Sequence, residues 1–206
     1  IYYENADYRA VDITYHRNGS RFTVINNGEQ IPFETRLLGE HNIQNILSAI
    51  AAARYLGVDW KVIQRAVKTM KQVEHRLEIK TINGRRFIDD AFNSNPKGAQ
   101  AALKVIREFE GRRIIITPGM VELGTEEEAF NREFGVMMAD CVDVAILVGK
   151  KHTAPIAEGL KSAGFSEENL HVVSTLEEAS AILRQIGRPG DVALFENDLP
   201  DNYSEA

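Results

Sequence analysis

The stretch Asp89-Asp90-Ala91-Phe92-Asn93-Ser94-Asn95-Pro96 gathers two carboxylates, two carboxamides and a hydroxyl within eight residues. Such groups donate and accept hydrogen bonds in the pattern a polar ligand needs. Ahead of it, Arg85 to Ile88 closes an apolar strand-like run. Behind it, Ala99, Ala102, Leu103 and Ile106 recur at i, i+3, i+4 and i+7, the stripe of an amphipathic helix. Asn95 suits the N-cap, and Pro96 the first helical position, where the missing N–H costs nothing. The polar cluster therefore sits between the carboxyl end of a strand and a helix N-terminus, the usual ligand position in α/β sheets. A capped βα loop with solvated aspartates is the plain alternative.

A second polar group opens the helix at Gly39-Glu40-His41-Asn42. Ile43, Ile46, Leu47 and Ile50 form its buried stripe, which leaves His41, Asn42 and Asn45 on the other face. Two close carboxamides can read the edge of a planar ring. They can equally satisfy backbone groups at the helix start. Arg76 stands in a polar linker, Lys71 to Arg76, where periodicity stops. It reads either as a surface arginine or as a forked clamp for an oxyanion.

Other segments mimic known sites. Gly119-Met120-Val121-Glu122-Leu123-Gly124 has P-loop glycine spacing, but Thr125 and Glu126 follow where lysine and a hydroxyl residue are required. No G-x-G-x-x-G fingerprint is present. Lys150-Lys151-His152 is basic and follows a strand, so it is either a contact for an acidic substrate or a solvated turn. Glu196-Asn197-Asp198-Leu199-Pro200-Asp201-Asn202-Tyr203 leaves the last strand as a polar tail, on the same side of a sheet as Asp90. Lys150 and Asn197 are the substrate-side candidates from these two segments.

The elements that must carry these groups follow from patterning. Tyr8 to Tyr15, Phe22 to Ile25 and a run around Ile31 to Leu38, separated by Asn18-Gly19 and Asn27-Gly28, predict an antiparallel meander. A helix capped by Asp59 should bury Ile63, Ala66, Val67 and Met70. From Leu77 a new unit begins with a hairpin at Asn83-Gly84. Strands Ile114 to Thr117, Val142 to Val148, Leu170 to Val173 and Val192 to Phe195 then alternate with helices. One of those helices should start at Thr125 with a Thr125–Glu128 capping box and bury Phe130, Phe134, Met137, Met138 and Cys141. This predicts an α/β fold with a mainly parallel sheet. The expected boundary divides residues 1–74 from 75–206.

Composition limits the function classes. The chain is 44% hydrophobic and 26% charged, as in folded globular proteins. A net charge of −6 argues against a general nucleic-acid binder. The single cysteine, Cys141, excludes an internal disulfide and a cysteine-based zinc cluster, and it reads as a small core residue. No apolar run reaches the roughly 20 residues of a membrane span, and no signal peptide is evident, so a cytoplasmic location is expected. The opening Ile1, in strand-like sequence, suggests a piece of something longer.

Four segments, in order, carry a family resemblance. Gly39-Glu40-His41-Asn42-Ile43-Gln44-Asn45 resembles the G-x-H-N-x-x-N helix of the Mur ligases. His75-Arg76-Leu77-Glu78 resembles their interdomain arginine segment. Asp89 to Pro96 resembles the DDAYNANP segment, and Met120 to Gly124 the M-x-E-L-G loop, of the member that adds D-alanyl-D-alanine. The resemblance runs from about Leu37 to Gly124 in motifs, and to the end of the chain in pattern.

It implies the end of a P-loop ATPase-type central domain followed by a Rossmann-like C-terminal domain. It also implies an ATP-dependent amide ligase of peptidoglycan precursor synthesis. In such enzymes ATP phosphorylates a substrate carboxylate and an incoming amine attacks the acyl-phosphate, with magnesium assisting. By resemblance, Asn45 bonds the adenine edge, with Asn42 supporting the nucleotide site. Asp90 takes the ribose hydroxyls, Arg76 reaches the phosphates, and Asn93 and Asn95 line the nucleotide or dipeptide side. The P-loop and magnesium ligands are expected upstream of Ile1, so this stretch alone should not catalyse. The implied partners are small molecules, a UDP-sugar peptide and an amino acid or dipeptide. Gly119 replaces an Asp of that member, and the Glu196 to Tyr203 segment replaces its K-G-S. A relative with another substrate, such as folylpolyglutamate synthase or cyanophycin synthetase, is therefore one alternative, and a non-catalytic nucleotide- or partner-binding module another.

Overall fold

The computed structural model describes residues 6–16, 18–92 and 94–198. The chain forms two compact units, Ile1–Val73 and Glu74–Ala206.

In the first unit, β1 (Arg9–His16), β2 (Gly19–Asn26) and β3 (Glu29–Thr35) form an antiparallel sheet in the order β1-β2-β3. Asn27 and Gly28 both adopt positive φ, 49° and 81°, the geometry of the tight hairpin turn between β2 and β3. Alternate residues of the sheet, among them Phe22, Val24, Ile31 and Phe33, are buried against α1 (Glu40–Tyr55) and α2 (Trp60–Lys68). The helices contribute Ile43, Ile46 and Ile50, and Ile63 and Val67. Asp59 caps α2 by accepting from the Lys61 N–H at 2.8 Å. Gly57, at φ 80°, ends α1. There the Val58 N–H donates to the Ala53 carbonyl and the Gly57 N–H to Arg54, which closes the helix in a Schellman pattern. Two expectations shift here. Ala66 is exposed, and Met70 lies past the end of α2 and is only half-buried, because the helix stops at Lys68.

The second unit is built on a six-stranded sheet in the order β4-β5-β9-β6-β7-β8. Its strands are β4 (Glu78–Ile82), β5 (Arg85–Asp90), β6 (Arg113–Thr117), β7 (Val144–Val148), β8 (Leu170–Val173) and β9 (Val192–Glu196). Only the β4–β5 hairpin is antiparallel; the other neighbours run parallel. The helices are α3 (Pro96–Arg107), α4 (Glu127–Ala139), α5 (Ala154–Ser162) and α6 (Leu176–Ile186). Ile114, Ile116, Val144, Ile146 and Ala193 pack with Ala179 and Leu183 of α6. Ile115, Ala145, Leu147 and Leu194, which alternate with them, are buried as well. A parallel strand covered on both faces needs that unbroken apolar run.

Helix α4 begins later than its sequence suggests. A single 3₁₀ turn, Gly124–Glu126, precedes it, no side chain caps it, and Thr125 lies inside the tight turn. The Thr125–Glu128 capping box is therefore not formed. Phe134, Met138 and Cys141 are buried, whereas Phe130 and Met137 are half-buried along a groove they share with Asn95 and Met120.

Candidate functional site

The last strand in sequence is the third in space, so the carboxyl end of β9 lies between those of β5 and β6. In this register Asp90 of β5 and Glu196 of β9 are direct partners. Glu196 is only 2% exposed. Its Oε2 accepts from the Thr117 hydroxyl at 2.7 Å, and its Oε1 accepts from the Ser94 hydroxyl. Burial pushes the Glu196 carboxyl up to about 7, and the charge of Asp90 adds to the rise while the two hydroxyls oppose it. Asp90 is half-buried, and its Oδ1 accepts from the Leu77 N–H at 3.0 Å. Desolvation raises its pKa to about 6 against the pull of that N–H and of Arg76.

The loop after β6 is held over this floor by buried amides. Asn131 of α4 accepts from the Met120 N–H at 2.9 Å and donates to the Met120 carbonyl at 2.8 Å. Gly119 adopts φ 83°, and a Cβ there would lie 2.9 Å from the Asn131 Oδ1 and 3.0 Å from Ile156. Glycine at this position is thus required by both backbone and space. Asn197 closes the other side. Its side-chain amide donates to the Gly119 carbonyl at 2.6 Å and its backbone N–H to the Asp90 carbonyl at 3.3 Å.

Three contacts fasten the segment preceding β4 to the end of β5 and the loop after it. His75 meets Asp89 at 3.1 Å, the Leu77 N–H meets Asp90, and the Arg76 guanidinium lies 4.5 Å from the centre of the Phe92 ring. Burial works to raise the Asp89 pKa, but hydrogen bonds from Lys80 and His75 hold it below the usual value. His75 and Leu77 take left-handed φ of 58° and 49°, so Arg76 sits on a sharply turned backbone.

The residues singled out by sequence separate into groups. Asp90 and Asn197 come together through the Asn197 N–H, and Arg76 acts on Asp90 electrostatically. Asn95 is the N-cap of α3, accepting from the Gly98 N–H at 3.0 Å. Asn42 donates to the Leu38 carbonyl at 2.8 Å, and Asn45 is exposed on α1. Lys150 is exposed in the turn after β7 and makes none of the cluster's hydrogen bonds given above. Asn93 and the tail from Leu199 onward lie outside the described residues. Sequence reasoning gave no individual role to Ser94, and passed over Thr117, Asn131 and the burial of Glu196. An acid directly abutting an apolar strand, Val192 to Phe195, was the available signal for the last.

Chemically, the crevice offers carboxylate and carboxamide acceptors at strand ends with one guanidinium nearby. That set suits hydroxyl and amine donors and an anionic group. Among the described residues no group of three or more His, Cys, Asp or Glu stands together to hold a metal, and no helix is long and apolar enough to cross a membrane.

Known proteins share this fold. The fold resembles that of MurF from Acinetobacter baumannii at a TM-score of 0.78 and 24% identity, covering 95% of this chain and 43% of that one. It also resembles the MurF ligase from Thermotoga maritima solved in complex with ADP, at 0.78 and 21%, covering 95% and 44%. In sequence it is 30% identical over 194 residues to the UDP-N-acetylmuramoyl-tripeptide–D-alanyl-D-alanine ligase of Bacillus subtilis (strain 168), covering 92% of this chain and 42% of that protein. It is 36% identical over 161 residues to the UDP-N-acetylmuramoylalanine–D-glutamate ligase of Geobacillus sp. (strain WCH70), covering 77% and 33%. The chain thus spans less than half the length of these relatives. The profile of the Mur ligase middle domain matches residues 2–53, and that of the Mur ligase, glutamate ligase domain matches residues 75–196, more than half of the chain and the whole of the sheet just described. A mainly parallel sheet with Asp90 at the carboxyl end of one strand and a family profile that runs from His75 to Glu196 lead to one assignment: this chain belongs to the Mur ligase family.

Proposed function

We propose that this chain is the C-terminal part of an ATP-dependent C–N ligase of peptidoglycan precursor synthesis. On this reading residues 1–74 end the central ATPase domain and 75–206 form the C-terminal domain. The observation that carries it is the state of Asp90: a strand-end acid, half-buried, with one oxygen fixed by the Leu77 N–H, inside a family-matched domain. Such a carboxylate is preorganised to accept from ribose hydroxyls. Arg76, held over Phe92, is the chain's phosphate-side group, and Asn45, with Asn42, its adenine-side group. ATP supplies the phosphoryl group that activates a substrate carboxylate. The chain's own residues bind, orient and exclude water. Magnesium finds no ligand set of its own among the described residues, so no step here is assigned to it. The chain also lacks the lysine of a P-loop, and alone it should not turn over.

The acid substrate class is a UDP-N-acetylmuramoyl peptide, and the amine is an amino acid or dipeptide. Asn95, Lys150 and Asn197, together with Asn93, are the substrate-side residues to test. A second reading, in which the amine differs from D-alanyl-D-alanine, is favoured by the spread of relatives over both D-alanyl-D-alanine and D-glutamate ligases. The deciding experiment measures phosphate release by the full-length protein with ATP, UDP-N-acetylmuramoyl peptides and a panel of amines. Amine-dependent release, lost in Asp90→Ala, supports the ligase. ATP binding by calorimetry with no release under any amine would instead make the protein a non-catalytic nucleotide-binding module.

A further inference from the structure

Glu196 is the one fully buried acid of the crevice, and nucleotide binding gives it no task. Its two hydroxyl partners are unequal. Thr117 is completely buried, and its Oγ1 also accepts from the Gly119 N–H at 3.0 Å. Ser94 is half-buried in the β5–α3 loop, and its hydroxyl donates to the carboxylate. Next to it, Asn197 is 7% exposed and its side-chain oxygen, buried, meets no donor among the described residues. That amide oxygen can only accept. It fits a ligand presenting N–H groups, as a primary amine does.

We propose that Glu196, through the Ser94 hydroxyl, takes up the proton shed by the amine that the ligase joins, with the Asn197 side-chain oxygen accepting a second N–H. The inference rests on the ligase reading above. The nitrogen lone pair forms the bond to the acyl carbon, and the bond from that carbon to the phosphate oxygen breaks with its electron pair leaving on phosphate. The nitrogen's proton moves to Ser94 Oγ as the Ser94 proton moves to Glu196 Oε1. Serine is regenerated and glutamate ends neutral. A carboxyl held at about 7 by burial is matched to such a transfer near neutral pH. The charged group facing it is Asp90 from β5, on which Arg76 and Asp89 act in turn; the β5–α3 loop and β6 present the Ser94 and Thr117 hydroxyls.

The test uses the full-length protein with ATP, UDP-N-acetylmuramoyl tripeptide, and two amines, D-alanyl-D-alanine and hydroxylamine. Hydroxylamine is uncharged near neutrality and traps an acyl-phosphate with little help from a base. Glu196→Gln should lower dipeptide ligation by about 10²- to 10⁴-fold, the usual range for a lost proton acceptor, while hydroxylamine capture stays within a few-fold of wild type. Ser94→Ala, at a half-exposed position, should show the same split. The acid limb of the rate near pH 7 should vanish in Glu196→Gln. Infrared difference spectra between about pH 6 and about pH 8 should show a protonated-carboxyl band that Glu196→Gln removes. Ligation near wild-type levels in both variants, or a parallel fall in hydroxylamine capture, overturns the proton route. Failure of the wild-type protein to capture either amine removes the ligase reading itself, and this proposal with it.

Discussion

Asp90 and Glu196 are 106 positions apart in sequence yet are register partners at the carboxyl ends of adjacent parallel strands. The charge of Asp90 adds to the cost of ionising Glu196, the neighbouring Asp89 adds to that of Asp90, and burial is the largest cause for both. The consequences can be measured one residue at a time.

For Asp90, two substitutions separate fold from function. Asp90→Ala leaves the Leu77 N–H without its acceptor on a residue that is 1% exposed, which should cost about 1–3 kcal/mol in denaturant unfolding. Asp90→Asn can keep that bond, so it should unfold nearly like wild type. Both should weaken ADP binding by calorimetry. Unchanged affinity in both would remove Asp90 from the nucleotide site.

For Glu196, stability should depend on pH with a definite sign. Its folded pKa, about 7, lies above the ordinary value of 4.5, so the folded state binds the extra proton. The contribution is fully present below about 4.5 and is lost as pH rises through about 7. The magnitude is roughly 3 kcal/mol for a shift of that size. Thermal unfolding from pH 4.5 to 8 should show the decline in wild type and a flatter profile in Glu196→Gln. Asp90, also raised, adds a smaller fall in the same direction up to about 6.

Gly119→Ala should destabilise by about 1–3 kcal/mol, because alanine must adopt a left-handed φ and press against the Asn131 side chain. Asn131→Ala, which strands both Met120 backbone groups, should cost a similar amount. Chemical denaturation reads both.

Asn95 and Phe92 make a contrasting pair. Asn95→Ala removes the α3 cap and should cost about 1 kcal/mol of stability. If Asn95 acts only as a cap, KM for every substrate stays unchanged. Phe92→Leu removes a solvent-exposed ring and should barely alter stability. It frees Arg76, however, so KM for ATP should rise severalfold, consistent with about 0.5–1 kcal/mol for an exposed cation–π contact.

Local chemistry made much of this protein legible before any coordinates. Asn27-Gly28 and Asn83-Gly84 fix their hairpins because both residues of each pair tolerate positive φ. Asn95-Pro96 fixes the start of α3, Asp59 that of α2, and the near-continuous apolar run Val142 to Val148 marks a buried strand, which the structure forms over Val144–Val148. Asp90 was visible because it stands where a strand pattern meets a helix pattern. The start of α4 was misplaced because the 3₁₀ turn at Gly124–Glu126 leaves no periodic signal.

Strand order was beyond the reach of local pattern. β9, last in the chain, enters between β5 and β6, and no local preference encodes that insertion. Only this pairing turns Glu196 from the first residue of an acidic tail into a buried carboxyl beside Asp90, with Ser94 and Thr117 as donors drawn from 102 and 79 residues away. Sequence determined which groups are present and which element each one ends. The tertiary fold decided which of them share a low-dielectric crevice, and burial there sets their proton affinity.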